Sequence, residues 1–275
     1  MFKSVTTRGN RYADRLIVLA GLGILVTISW MYLFYIANDT SGMNMPMGPD
    51  MQDSKGMSAM KPSVPMAWSL SEWFAMFTMW SVMMIGMMIP SASPMILVFS
   101  KVNRQKKASG SPYTGTGIFV AGYIIIWSAF SVLATMVNFI LHSNALLSGM
   151  MGHSDSMIFG GFTLVIAGIF QWTPWKDSCL SKCRTPMGFL ITEWRDGSKG
   201  VLVMGLKHGA YCVGCCWLIM ALLFVLGVMN LVWIAALSVF VLVEKIVPNG
   251  LWIGRVSGLA LIVWGLILII PTISG

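Results

Sequence analysis

The stretch Lys207-His208-Gly209-Ala210-Tyr211-Cys212-Val213-Gly214-Cys215-Cys216-Trp217 holds three of the chain's five cysteines and one of its three histidines. On a helix turning about 100° per residue, His208, Cys212, Cys215 and Cys216 fall within roughly 100° of arc over about 12 Å, so four soft or borderline ligands share one face. A buried cysteine also behaves as a small hydrophobe and a lone histidine fills a core. Three cysteines and a histidine clustered this way point instead to metal or redox chemistry. One helix cannot close a cage around an ion, so a further ligand must come from elsewhere; Met87, Met88 and Met95 lie at compatible depth. Gly209 and Gly214 beside the cysteines permit the close helix approach that a shared site requires. A second pair, Cys179 and Cys183, has a spacing that brings two sulfurs together, and Lys182 with Arg184 favours their thiolates.

The chain carries 24 methionines in 275 residues. Seven lie between Asn38 and Ala67 and seven more between Met76 and Met95. Thioethers are soft, neutral ligands that need no deprotonation, and they select Cu(I) over harder cations, with zinc as the alternative occupant of the cysteine face. Met43, Met45, Met47, Met51, Met57 and Met60 stand in a Pro-, Gly- and Asp-rich segment without apolar period, read as an outer loop that captures the ion. Met76, Met79, Met83 and Met87 fall within about 80° of arc and form a stripe along a helix, either a ladder for ligand exchange or ordinary packing. His142, His153 and Asp155, with Met150 and Met151, offer harder ligands to an outer site.

The elements that must position these groups are membrane helices. The sequence is 56% hydrophobic and 10% charged, with a mean hydropathy of +0.77, outside the range of soluble domains. Apolar runs of near bilayer length cover Leu16–Ala37, Leu70–Ser100, Gly117–Leu141, Met157–Trp172, Val201–Val228, Leu231–Val247 and Leu251–Ile270. The expected fold is therefore all-α: a polytopic integral membrane bundle of about seven transmembrane helices, or six, since only Met229 and Asn230 separate the fifth and sixth. The first run follows Lys3, Arg8, Arg11 and Arg15 as a signal peptide would, but it is too long and lacks a small-residue cleavage site, so it is read as a retained helix. Residues 1–37 form the N-terminal segment and first helix, 38–67 the Met-rich outer loop, and 68–275 the helical membrane domain.

With the N-terminus cytoplasmic, sixteen of the eighteen Lys and Arg residues lie in or beside cytoplasmic segments, as the positive-inside rule requires. The net charge of +8 then records topology and calls for no nucleic-acid partner. No cysteine falls in an outer loop, which argues against a disulfide framework. Pro90 and Pro94 predict a kink or an unwound turn. Glu244 and Lys245 are placed near the inner interface, within reach of the headgroups.

Met87-Met88-Ile-Pro90-Ser91 followed by Pro94-Met95, Cys179 to Cys183 with Lys176, Gly209 to Trp217 ending in Cys215-Cys216-Trp217, Gly227-Val-Met229-Asn230 and Glu244-Lys245 carry a resemblance. Over roughly Trp73 to Gly250 the chain resembles an uncharacterised prokaryotic family of predicted metal-binding integral membrane proteins. The resemblance implies a metal-binding bundle in the prokaryotic inner (cytoplasmic) membrane. The expected function is non-enzymatic copper handling in contact with the lipid bilayer, for copper homeostasis or supply to a membrane cuproenzyme. A membrane thiol-disulfide oxidoreductase and an accessory subunit of a larger membrane enzyme complex are the alternatives. No P-loop or aspartyl-phosphate motif points to ATP-driven transport by the chain alone.

Overall fold

A computed structural model of the chain describes residues 3–42, 68–108, 115–144 and 157–274. The loop methionines Met43, Met45, Met47, Met51, Met57 and Met60, and likewise Met150, Met151, His153 and Asp155, lie outside the described residues. Ten helices follow one another there: α1 (Lys3–Gly42), α2 (Leu70–Ala108), α3 (Thr116–Ser143), α4 (Met157–Phe170), α5 (Pro174–Arg184), α6 (Pro186–Glu193), α7 (Gly197–Ala221), α8 (Leu223–Leu226), α9 (Leu231–Ile246) and α10 (Gly250–Ser274). No strand occurs among the described residues, and the all-α expectation holds.

Local chemistry sets several boundaries. Pro174 opens α5, where its missing N–H costs nothing, and the Thr173 hydroxyl accepts from the Lys176 N–H at 3.4 Å. Asn230 caps α9, its side-chain oxygen accepting from the backbone N–H groups of Val232 and Trp233. Gly227 has φ +99°, a conformation that side-chain-bearing residues rarely adopt. That turn separates α8 from α9 and keeps the fifth and sixth apolar runs distinct.

Among the described residues five helices are long and apolar enough to cross a bilayer, over Arg15–Asn38, Leu70–Lys106, Thr116–Ser143, Gly197–Leu226 and Gly250–Pro271. A sixth crossing results if α4 and α5, bent by 65° at their break, are counted as one broken span. The fourth and sixth apolar runs become helices of 14 and 16 residues, shorter than the roughly 20 residues that span a hydrocarbon core upright. After Thr173 the chain forms the short helices α5 and α6, and α5 packs on α7.

Two helix pairs are held by glycine contacts. A Cβ on Gly168 would stand 2.6 Å from the Gly258 carbonyl, and one on Gly265 at 2.6 Å from the Gly161 carbonyl, so α4 and α10 touch backbone to backbone. A Cβ on Gly122 would stand 2.6 Å from the Leu202 carbonyl, and one on Gly205 would collide with the Phe119 carbonyl, joining α3 to α7. Small residues allow such approach and the dispersion contacts it brings.

The two prolines of α2 do not unwind it, contrary to one form of the expectation: the helix runs unbroken from Leu70 to Ala108. Pro94 cannot donate to the Pro90 carbonyl, which accepts instead from the Ser93 hydroxyl at 2.8 Å. The exterior carries Ile17, Ile24, Phe34, Ile125, Ile140 and Ile267, all exposed, whereas Ser131, Thr135, Asn138, Lys176, Glu244 and Lys245 are buried. The core is mostly apolar with a few polar and charged groups inside it, and the exterior is apolar as well, unlike the polar surface of a water-soluble domain.

Gly205→Leu forces the α3–α7 contact apart and is expected to destabilise the protein by about 1–3 kcal/mol or more through overpacking. Gly117→Ala, where a Cβ meets nothing within 4 Å, leaves the melting temperature unchanged. Thermal unfolding of the purified variants checks both.

Candidate metal centre

The α7 face predicted from the sequence exists and points inward: His208, Cys212, Cys215 and Cys216 are all buried. Cys212 is its centre. Cys183 of α5 is close enough to Cys212 and Cys215 of α7 to interact with both, so α5 and α7 together bring four thiols into one buried neighbourhood. The remaining thiol, Cys179, packs on the α7 backbone, where a Cβ on Gly214 would stand 2.9 Å from its sulfur. All five cysteines are free thiols.

Two further groups converge on Cys212. The Tyr123 hydroxyl of α3 stands 3.1 Å from the Cys212 sulfur and 3.1 Å from the Met88 carbonyl of α2. The Lys245 ammonium of α9 donates to the same sulfur at 2.9 Å and to the Ser91 hydroxyl at 3.0 Å. Ser238 of α9 donates to the Met87 carbonyl at 3.1 Å. The Met87–Ser91 turn of α2 is therefore tied to the cysteine cluster by a phenol and an ammonium. Gly209 does serve close approach, but toward α3, where its Cβ would stand 2.9 Å from Ile126, and Gly214 serves α5.

Along α2, Met76, Met79, Met83, Met84, Met87, Met88 and Met95 are all buried. The upper tie between α2 and α3 is a hydrogen bond from the Asn138 amide to the Met76 sulfur at 3.5 Å, and the lower tie is Tyr123 to Met88. Met79 and Met83 lie between these ties, in an interior that also holds the small polar residues Ser131 and Thr135. The thioether stripe thus runs inside the bundle toward the thiols.

His208 stands one helical turn before Cys212, packed among Phe119, Tyr123 and Phe189 with ring centroids 5.5–5.9 Å away. Its Nδ1 is buried without a hydrogen-bond partner, a state that costs about 1–3 kcal/mol. Among the described residues no group of three or more His, Cys, Asp or Glu side chains is arranged to hold a metal ion as they stand. The Cys215 and Cys216 thiols donate to the Cys212 carbonyl at 3.1 and 2.9 Å, and the Cys212 sulfur is occupied by Lys245.

Residues 77–268 match the profile of a family described as PpoB2: Copper chaperone. The chain belongs to the PpoB2 copper chaperone family. No curated protein and no solved structure matches it. The matched residues include Met79 to Met95, Tyr123, all five cysteines, His208 and Lys245, and they stop short of the loop methionines from Met43 to Met60. Family membership supports copper handling by the chain in general. The prokaryotic family resemblance read from Cys215-Cys216-Trp217 and its companions agrees with this membership.

In this PpoB2-family chain the sequence reading of Glu244 and Lys245 needs correction. Neither reaches an interface: they are 1% and 7% exposed. Glu244 is ion-paired with Lys176, itself 1% exposed, whose ammonium also donates to the Gln171 side-chain oxygen. Cys183 is buried too, and Cys179 is partly exposed. Nearby, Arg255 reaches Asp177 at 3.2 Å and Arg184 donates to the Val247 carbonyl at 2.7 Å, clamping α5 to α9 and α10. Ionisable residues in an apolar run are costly and usually functional, and that rule, applied to Lys245, was the available signal. Nothing in the sequence singled out Tyr123 from the other tyrosines.

Lys176→Met strands the Glu244 carboxylate and is expected to destabilise the protein by about 3–5 kcal/mol. Lys176→Met with Glu244→Leu recovers most of that loss, because no unpaired charge remains. Denaturation of the single and double variants measures the difference.

Proposed function

We propose that the chain is a membrane-embedded copper chaperone of the prokaryotic inner membrane, with its N-terminus cytoplasmic, that holds Cu(I) at the thiols around Cys212 and supplies a cuproenzyme. The observation that carries this reading is the approach of buried Cys183 to Cys212 and Cys215 inside a bundle whose α2 is lined with buried methionines. Two or three thiolates suit Cu(I), and His208 with its unpartnered Nδ1 offers a borderline ligand on the same face. The apolar exterior and the buried charges support the membrane setting.

Delivery requires that the ion also leave. Lys245 shares the Cys212 sulfur, and a bound Cu(I) and an ammonium compete for it, which keeps the ion exchangeable. The methionines from Met76 to Met88 provide neutral, weaker ligands from which Cu(I) reaches the thiols by exchange. Met43, Met45, Met47, Met51, Met57 and Met60 capture the ion outside. Cu(I) is favoured over zinc because thioethers contribute little to a Zn(II) site. Nothing in this scheme requires a reaction catalysed by the chain.

Replacing Cys212, Cys215 and Cys216 together with Ser is expected to weaken Cu(I) retention by about a hundredfold, on the scale by which ligand-shell changes act on metal sites. Anaerobic titration of the purified protein against a Cu(I) chelator gives the measurement. Unchanged affinity and stoichiometry would remove the inner site. A second reading, thiol-disulfide exchange, draws on the closeness of Cys183 to Cys212 and Cys215. Under that reading mild oxidant traps a Cys183–Cys212 or Cys183–Cys215 disulfide in a form that retains no copper.

A further inference from the structure

Away from the cysteines, α1 and α2 meet in a register that brings their basic ends together. A Cβ on Gly86 would stand 3.0 Å from the Ser29 Cβ, which fixes one level of an antiparallel pair. Arg15 lies fourteen residues before Ser29, and Ser100 fourteen after Gly86. Fourteen residues are close to four helical turns and about 21 Å, so both chains return to the shared face at the same depth. At that level a cavity of about 400 Å³ opens between the helices, with Leu97 and Val98 as its apolar floor and Arg15, Lys101 and Arg104 around it.

We propose that this α1–α2 cavity is a binding site for a phosphate group, carried by an anionic phospholipid or free in solution. Arg15 and Lys101 supply a guanidinium and an ammonium at its rim, and guanidinium binds phosphate through paired, charge-assisted hydrogen bonds. The apolar floor and the exposed Leu16, Ile17 and Leu19 that continue from Arg15 along α1 give an acyl chain a surface to follow, which a free phosphate would not use. Basic clusters where apolar helices leave the membrane bind anionic headgroups in this way. The inference rests on the membrane reading above and is independent of copper.

The test uses the full-length chain in detergent micelles, titrated with phosphatidylglycerol or phosphatidylcholine and read by native mass spectrometry. The wild type is expected to retain phosphatidylglycerol in preference. Arg15→Gln with Lys101→Gln lowers that affinity about thirtyfold, at the strength typical of two charges near a membrane surface. Arg15→Lys with Lys101→Arg keeps it, and Lys199→Gln, at an exposed site on another helix, leaves it unchanged. Displacement of bound lipid by millimolar inorganic phosphate identifies free phosphate as the ligand, and resistance to it identifies the headgroup. Equal binding of the two lipids, or wild-type affinity in the Gln variant, overturns the proposal. Failure of the chain to sediment with carbonate-washed membranes overturns the membrane reading instead, so the two failures are told apart.

Discussion

Stripping water from an ammonium group costs several kcal/mol unless strong acceptors replace the solvent. Lys245 meets that demand with the Cys212 sulfur and the Ser91 hydroxyl, and much of the interior arrangement follows from it. Because its two partners belong to α7 and α2, the ammonium holds three helices at one depth. Tyr123 repeats the device from α3, joining Cys212 to the Met88 carbonyl. The candidate centre is therefore a junction of five helices, with α5 contributing Cys183.

A second buried charge system sets the frame around the first. The Lys176–Glu244 pair, with Gln171, lies where α4 breaks and α5 turns away by 65°. Glu244 and Lys245 are neighbours in sequence, and each is satisfied by a different helix: Glu244 by α5, Lys245 by α7. That division steers α5 onto α7 and brings Cys183 to the cysteine face. Gly254 allows it, since a side chain there would collide with the Glu244 carboxylate.

These constraints bear on how a copper chaperone balances grip and release. A closed cage of thiolates would bind Cu(I) tightly and exchange it slowly. The arrangement seen instead leaves the Cys215 and Cys216 thiols on a backbone carbonyl and the Cys212 sulfur shared with a resident cation. Under the proposed function, copper displaces these interactions to bind, and they re-form when it leaves. The unpartnered His208 Nδ1 is the contrary case, a polar atom with nothing to lose on meeting an ion.

The helical face of His208, Cys212, Cys215 and Cys216, the thioether stripe of α2 and the extent of the apolar helices were legible from the sequence, because helical periodicity converts residue spacing directly into shared faces. Local chemistry accounts for the Pro174 and Asn230 boundaries once the helices are seen. What periodicity cannot state is which faces meet. That Tyr123 and Lys245 both reach Cys212, that Cys183 is buried beside it, and that Arg15 stands level with Ser100 were decided by tertiary packing, through glycine contacts that set helix separations and buried charges that demand particular partners. Interactions between residues far apart in sequence depend on the mutual depth and rotation of whole helices, and those variables have no local encoding.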